Sequence, residues 1–162
     1  MAITRLGGAN AISGTIPAAN VATLTSSNLP SGSVLQVQNT YNSSNSFSTS
    51  ATSYSDCGLS VNITPTSSSN KILILGNITG GIRTDNHLVL QILRDATQIE
   101  YMLYAFYAQS AGVSGNGIAL NFYDTPSTTS QVTYKIQFAT RDSGETVDVR
   151  DPSSITVMEI KV

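Results

Sequence analysis

Few side chains in this 162-residue chain are of types that carry out chemistry. There is one cysteine, Cys57, and one histidine, His87. A structural zinc site needs four ligands and a disulfide needs two thiols, so neither is expected within one chain. A Ser–His–acid triad would have to use His87, which sits in Arg83-Thr84-Asp85-Asn86-His87. That polar run reads as a loop between strands, where a histidine is ordinarily a surface residue unless a pocket perturbs it. The run Gly112-Val113-Ser114-Gly115-Asn116-Gly117 lacks the Lys-Ser/Thr ending of a phosphate loop and precedes no helical pattern. Asn116 also stands where a nucleophile elbow needs its last glycine, so the run reads as a flexible loop. Asp142, Glu145, Asp148 and Asp151 match no calcium-loop pattern, and Arg141 and Arg150 partly neutralise them. They read as solvated turns. Nothing marks the paired carboxylates that glycoside hydrolysis requires. The expectation is a non-enzyme with no catalytic residue, no cofactor and no metal.

Composition narrows the class further. Charged residues are 11% of the chain, the net charge is −2, and Ser and Thr number 42. Nucleic-acid binding needs clustered Lys and Arg to neutralise phosphates, and a polybasic membrane patch needs the same. Neither is present in the sequence. Hydrophobic content of 40% with small net charge is the reverse of the signature of a wholly disordered chain. No apolar run approaches the ~20 residues that span a bilayer, and the first residues lack the pattern of a signal peptide. Asn42, Asn62 and Asn77 head Asn-x-Ser/Thr sequons, which chance supplies in so Ser- and Thr-rich a chain. Not one Lys, Arg, Asp or Glu occurs between Arg5 and Asp56.

The elements that would position any site read as strands. Residues 1–32 stand apart, since Gly7, Gly8, Gly14, Pro17, Pro30 and Gly32 interrupt any long element. Ile3, Leu6, Ile12, Ile16, Val21, Leu24 and Leu29 recur singly in this segment, with a weak helical pattern over 18–24. Such a segment builds no core of its own. It is a disordered terminus or an arm whose spaced side chains dock elsewhere, and the regular aliphatic spacing favours the arm. From residue 33 the pattern becomes β. Strands are expected at 34–37, 47–54, 59–63, 71–79, 88–94, 98 onward, 117–124, 132–140 and 155–162. Pro65, Gly80-Gly81 and Pro126 mark breaks, and 95–97, 141–145 and 151–154 read as turns. Eight or nine strands, many spaced by 8–12 residues, indicate an all-β antiparallel two-sheet sandwich, best matched by a jelly roll.

One stretch departs from the alternation. In 99–107, Tyr101, Leu103, Ala105 and Tyr107 would share one face, with Met102, Tyr104 and Phe106 on the other. An antiparallel strand ordinarily shows one polar face. Either the arm or a loop covers the outer face, or Tyr101, Leu103, Tyr104, Phe106 and Tyr107 belong to a subunit interface. Periodicity alone also leaves a short helix open here.

Three stretches resemble small virion structural proteins of tailed bacteriophages, of the cyanophage fibre and decoration type. The opening Leu6-Gly7-Gly8-Ala9-Asn10-Ala11-Ile12-Ser13-Gly14-Thr15-Ile16-Pro17-Ala18-Ala19-Asn20-Val21 is similar to N-terminal segments of phage fibre proteins. The unit Leu59-Ser60-Val61-Asn62-Ile63-Thr64-Pro65, with its polar turn and Lys71-Ile72-Leu73-Ile74, resembles their C-terminal domains. The ending Ser153-Ser154-Ile155-Thr156-Val157-Met158-Glu159-Ile160 resembles their final strand. The resemblance implies a homotrimeric β-rich head on an N-terminal attachment segment, and it carries over no catalytic residue.

The sequence therefore favours a virion structural protein, a short trimeric fibre or knob anchored by residues 1–32, with a sandwich head over 33–162. Its partners would be other phage virion proteins and a host surface receptor, with no nucleic acid and no membrane insertion. Made in the host cytoplasm, it would be displayed at the virion surface. A capsid decoration or cement protein is the alternative. A lectin-like module would want exposed aromatic platforms, and the chain has no Trp. Arg83, Asp85, Asn86, His87, Ser114 and Asn116 are the candidate outward binding positions, because they lie in polar connections.

Overall fold

A computed structural model describes residues 25–82, 86–108 and 114–162. The chain divides into two units, Met1–Pro30 and Ser31–Val162. In the first, the described residues form one 3-10 turn, Ser26–Asn28. The second unit holds nine strands: β1 Val34–Asn42, β2 Phe47–Thr49, β3 Ser55–Ile63, β4 Lys71–Ile82, β5 Asn86–Arg94, β6 Thr97–Ala108, β7 Ser114–Asp124, β8 Val132–Thr140 and β9 Val147–Ile160.

Alternation decides which side chains meet. In β3, Cys57, Leu59, Val61 and Ile63 are buried while the residues between them are exposed. In β8, Val132, Tyr134, Ile136 and Phe138 are buried and the residues between them half-buried. Each side chain of this size, fully buried, contributes about 1.5–3 kcal/mol. These inner faces meet Ile72, Ile74 and Ile78 of β4 and Ile155 and Val157 of β9 in one core.

The strands form two antiparallel sheets. Sheet I has the order β1-β9-β4-β7, with β2 also paired to β9, and sheet II has the order β3-β8-β5-β6. This interleaving, in which each sheet takes strands from both halves of the chain, is that of an eight-stranded jelly roll, with β2 as an addition. The first residues of the sandwich clip onto its last: the Gly32 N–H donates to the Lys161 carbonyl at 2.8 Å, and the Lys161 N–H to the Ser33 carbonyl at 2.9 Å.

Several boundaries differ from the sequence reading, each for a local reason. The expected strand over 47–54 is paired only at Phe47–Thr49, where it meets Val147–Val149 of β9. Gly80 and Gly81 do not break β4; there is no room for a Cβ at Gly80, where it would lie 2.6 Å from Leu88 Cδ2, so glycine here permits close packing. Residues 151–154 are not a turn between strands. They are a bulge within β9, since Asn77 pairs with Ser154 but Thr79 with Arg150, and the displaced Ser153 hydroxyl accepts the Thr79 N–H at 2.9 Å. Residues 99–107 are strand and not helix.

Candidate interaction surfaces

The acidic and phenolic groups with altered environments hold the sandwich together. Asp124 accepts two hydrogen bonds from Arg94 Nη1, both at 2.8 Å, and one from the Tyr134 hydroxyl at 2.6 Å. Burial and the Asp124 carboxylate push the Tyr134 phenol well above its ordinary pKa. Glu159 is fully buried. Its Oε1 accepts the Thr66 N–H (2.7 Å), the Thr66 hydroxyl (2.9 Å) and Asn70 Nδ2 (2.7 Å), and its Oε2 accepts Gln36 Nε2 (2.6 Å). Burial works to raise this carboxyl pKa, but the donors from Asn70, Gln36 and Thr66 outweigh it and hold the pKa below the usual value. Asp148, read from sequence as a solvated turn carboxylate, is buried instead; Ser48 donates to its Oδ1 at 2.6 Å and Arg150 to its Oδ2. A carboxylate can be buried because such donors replace its water.

Each of these carboxylates is thus committed to joining strands. Among the described residues no cluster of three or more His, Cys, Asp or Glu could hold a metal ion. Two clefts among the described residues are small: about 130 Å³ beside Asp56 and Lys135, and about 220 Å³ between β6 and β7 over Ile92, Met102 and Leu120. Both fall short of the ~300 Å³ at which small-molecule pockets begin. Cys57 is buried and its thiol donates to the Ile136 carbonyl; burial pushes its pKa up to about 11, so it is no nucleophile at neutral pH.

The described candidate outward residues, Asn86, His87, Ser114 and Asn116, gather at one end of the sandwich, though not as loop residues. Ile82 pairs with both Ser114 and Val147 in sheet I, and Asn86 pairs with Ala108 in sheet II. The connections 83–85, 109–113 and 141–146 therefore leave from the same end. Asn86 and His87 are the first residues of β5, and Ser114 and Asn116 lie in β7; strand pairing extends further than the polar sequence suggested. His87 pairs with Tyr107 and accepts the Arg141 N–H at its carbonyl (3.1 Å). Arg83 and Asp85 lie outside the described residues. The chain enters the sandwich at the opposite end, where Val34 and Lys71 both pair with Ile160.

Of the arm positions only Leu29 is described, and it is half-buried; Ile3, Leu6, Ile12, Ile16, Val21 and Leu24 lie outside the described residues. Strand β6 is the edge of sheet II. Tyr101 and Leu103 are 51% and 46% exposed there. Ala105 does not share their face: with Ile99 and Met102 it packs on the core. The cause is two register shifts against β5, which insert extra residues and break the period of two. The side chains of Tyr104, Phe106 and Tyr107 lie outside the description.

The outer face of sheet I was missed from sequence. Val37 pairs with Met158, Met158 with Leu73, and Leu73 with Tyr123, which makes one apolar row across all four strands. Val37 is 50% and Tyr123 54% exposed. Val34 with Ile160 on one side, and Leu75 on the other, extend the row. The signal was present in Lys71-Ile72-Leu73-Ile74-Leu75, whose aliphatic side chains fill both parities, but the run read simply as a strand in mid-core.

No protein-family model matches the chain, and no curated protein does. Solved structures match in fold. The infectious bursal disease virus VP2 subviral particle superposes with a TM-score of 0.54 and 15% identity over 76% of this chain and 32% of that one. The structure of the Gt strain of the same virus gives 0.52 and 18% over 91% and 37%. The Gx strain gives 0.53 and 17% over 78% and 32%. The likeness is one of fold. The chain spans about a third of the length of these virus chains.

Proposed function

We propose that this chain is a non-enzymatic structural protein of a virus particle, namely a tailed bacteriophage. In this reading it is a short homotrimeric fibre or knob, held by residues 1–32 and displayed at the virion surface. The observation that carries it is the polarity of the sandwich. The chain enters at one end, and the 83–85, 109–113 and 141–146 connections leave from the other. A head fixed where its chain enters presents those connections outward to a host receptor. The jelly-roll fold, the fold likeness to a virus VP2 and the commitment of Asp124, Asp148 and Glu159 to internal contacts support the same reading.

A capsid decoration protein is the second reading, and length favours it. A 32-residue arm reaches at most ~110 Å, which suits contacts across neighbouring capsid proteins better than a shaft. The two separate by experiment. Purified protein that blocks adsorption of the phage to its host identifies the fibre. Protein that rebinds stripped capsids and restores their heat resistance identifies the decoration protein. If it does neither and is missing from purified particles, both readings fall.

A further inference from the structure

We infer that the cleft between β6 and β7 is the seat of one basic side chain, lysine or arginine, presented by a neighbouring protein chain. The cleft lies between an edge strand of sheet II and an edge strand of sheet I, and it holds about 220 Å³. Ile92 and Leu120 are its buried walls, and half-buried Met102 and Phe122 complete the apolar lining. Among the described residues that line it, Glu100 is the one with a charge. A bulge sets its direction. Leu93 pairs with Gln98 but Ile92 with Glu100, so Ile99 is an extra residue and Glu100 stands opposite a core side chain.

Glu100 differs from the buried carboxylates in what surrounds it. Asp124 has Arg94 and Tyr134, Asp148 has Arg150 and Ser48, and Glu159 has four donors. Glu100 is half-buried, yet its one donor among the described residues is the N–H of Tyr101, its own neighbour in sequence, 2.9 Å from Oε1. Arg94, two residues along β5 from Ile92, is bound to Asp124. A carboxylate drawn partly out of water with no cation beside it is unfavourable. A long basic side chain answers this: its methylenes lie on the apolar walls while its charged end meets the carboxylate. Size and surroundings choose a protein side chain over a free small molecule. The cleft is below the ~300 Å³ at which small-molecule pockets begin. Tyr101 and Leu103, 51% and 46% exposed, stand on the same strand beside it, where a partner's main chain can rest. Two register shifts interrupt β6, so the contact rests on the inserted side chain and not on an added strand.

The test is methyl NMR of the full-length protein with ¹³C-labelled methionines. Met102 lines the cleft and reports its occupancy, with its signal assigned through Met102→Leu; Met158, on the outer face of sheet I, is the control. The probes are the peptide acetyl-Gly-Lys-Gly-amide, its arginine counterpart, the same peptide with norleucine, and n-butylammonium. The two basic peptides are expected to shift the Met102 signal saturably and leave Met158 in place. The norleucine peptide, equal in stem but uncharged, is expected to give no saturable shift. Glu100→Gln is expected to weaken the basic peptides by about tenfold or more. The same variant should lower the melting temperature by less than about 3 °C, because the fold gives this carboxylate no side-chain partner to lose. Glu100→Ala repeats the experiment if the glutamine variant unfolds. An unmoved Met102 signal, equal binding of the lysine and norleucine peptides, or unchanged binding by Glu100→Gln overturns the inference. So does a loss of stability in Glu100→Gln as large as that of Glu159→Gln, since the carboxylate would then serve the fold. Binding of n-butylammonium but of neither basic peptide overturns it too, since the cleft would then take a free amine.

Discussion

Replacing Glu159 by glutamine should cost the sandwich a large part of its stability, and the amount follows from the donors around it. Three donors converge on Oε1 and one on Oε2. An amide keeps a single acceptor oxygen. If that oxygen faces Thr66 and Asn70, the new NH₂ points at Gln36 Nε2, a donor against a donor. The three retained bonds also lose their charge, and charged hydrogen bonds contribute about 1.5–3 kcal/mol against about 1 for neutral ones. Together this is about 2–4 kcal/mol. At about 3–5 °C per kcal/mol for a domain of this size, Glu159→Gln should lower the melting temperature by about 6–20 °C. The assay is thermal unfolding by circular dichroism at fixed protein concentration, repeated across pH. The folded-state pKa of Glu159 is depressed, so the unfolded chain takes up its proton first as pH falls. The stability it contributes is fully present above the unfolded value of about 4.3 and is lost as pH drops through the folded pKa below it. Wild type and Glu159→Gln should therefore converge in stability towards low pH. A loss of less than about 3 °C at neutral pH, with a constant gap between the two proteins down to pH 3, would refute the account of the buried carboxylate.

Other expectations follow from single contacts. Gly58 has φ +76° and a Cβ there would lie 2.7 Å from Phe47 Cζ, so Gly58→Ala should destabilise by about 1–3 kcal/mol in chemical denaturation. Tyr134→Phe removes one hydroxyl from Asp124 but leaves the Arg94 pair, and should cost about 1–2 kcal/mol, less than Asp124→Ala, which strands both partners. Cys57, buried with a pKa of about 11, should stay unlabelled by Ellman's reagent at pH 8 in the folded protein and react at once in denaturant. Removing residues 1–30 should leave a sandwich with unchanged circular dichroism that no longer binds particles; continued binding would rule out the anchoring arm.

The fold was legible where one face is dry and the other wet. Leu59, Val61 and Ile63, and Val132, Tyr134, Ile136 and Phe138, announced their strands and their inward faces by alternation alone. Legibility failed where pairing stores irregularity that no local signal marks. The bulge at 151–154 looked like a turn because Asp, Pro and Ser are turn residues, yet the chain continues in the same sheet. Ala105 was assigned to the face of Tyr101 because counting by twos cannot see an inserted residue. Asp148 looked solvated because its partner, Ser48, is a hundred residues away. The exposed apolar faces were the least legible part. The β6 patch stood out by its aromatic side chains, whereas the face of sheet I is assembled from β1, β4, β7 and β9, which contribute one side chain each to the central row.

The virion reading, under which a phage encodes this chain, is tested most directly by an electron cryomicroscopy reconstruction of that phage's particles. The account predicts three jelly rolls about a threefold axis on the outside of the particle, with the end of the sandwich that carries Ile82, Asn86 and Ser114 turned to solvent. Particles that carry no copy of the chain, or copies confined to the interior beside the genome, would contradict it.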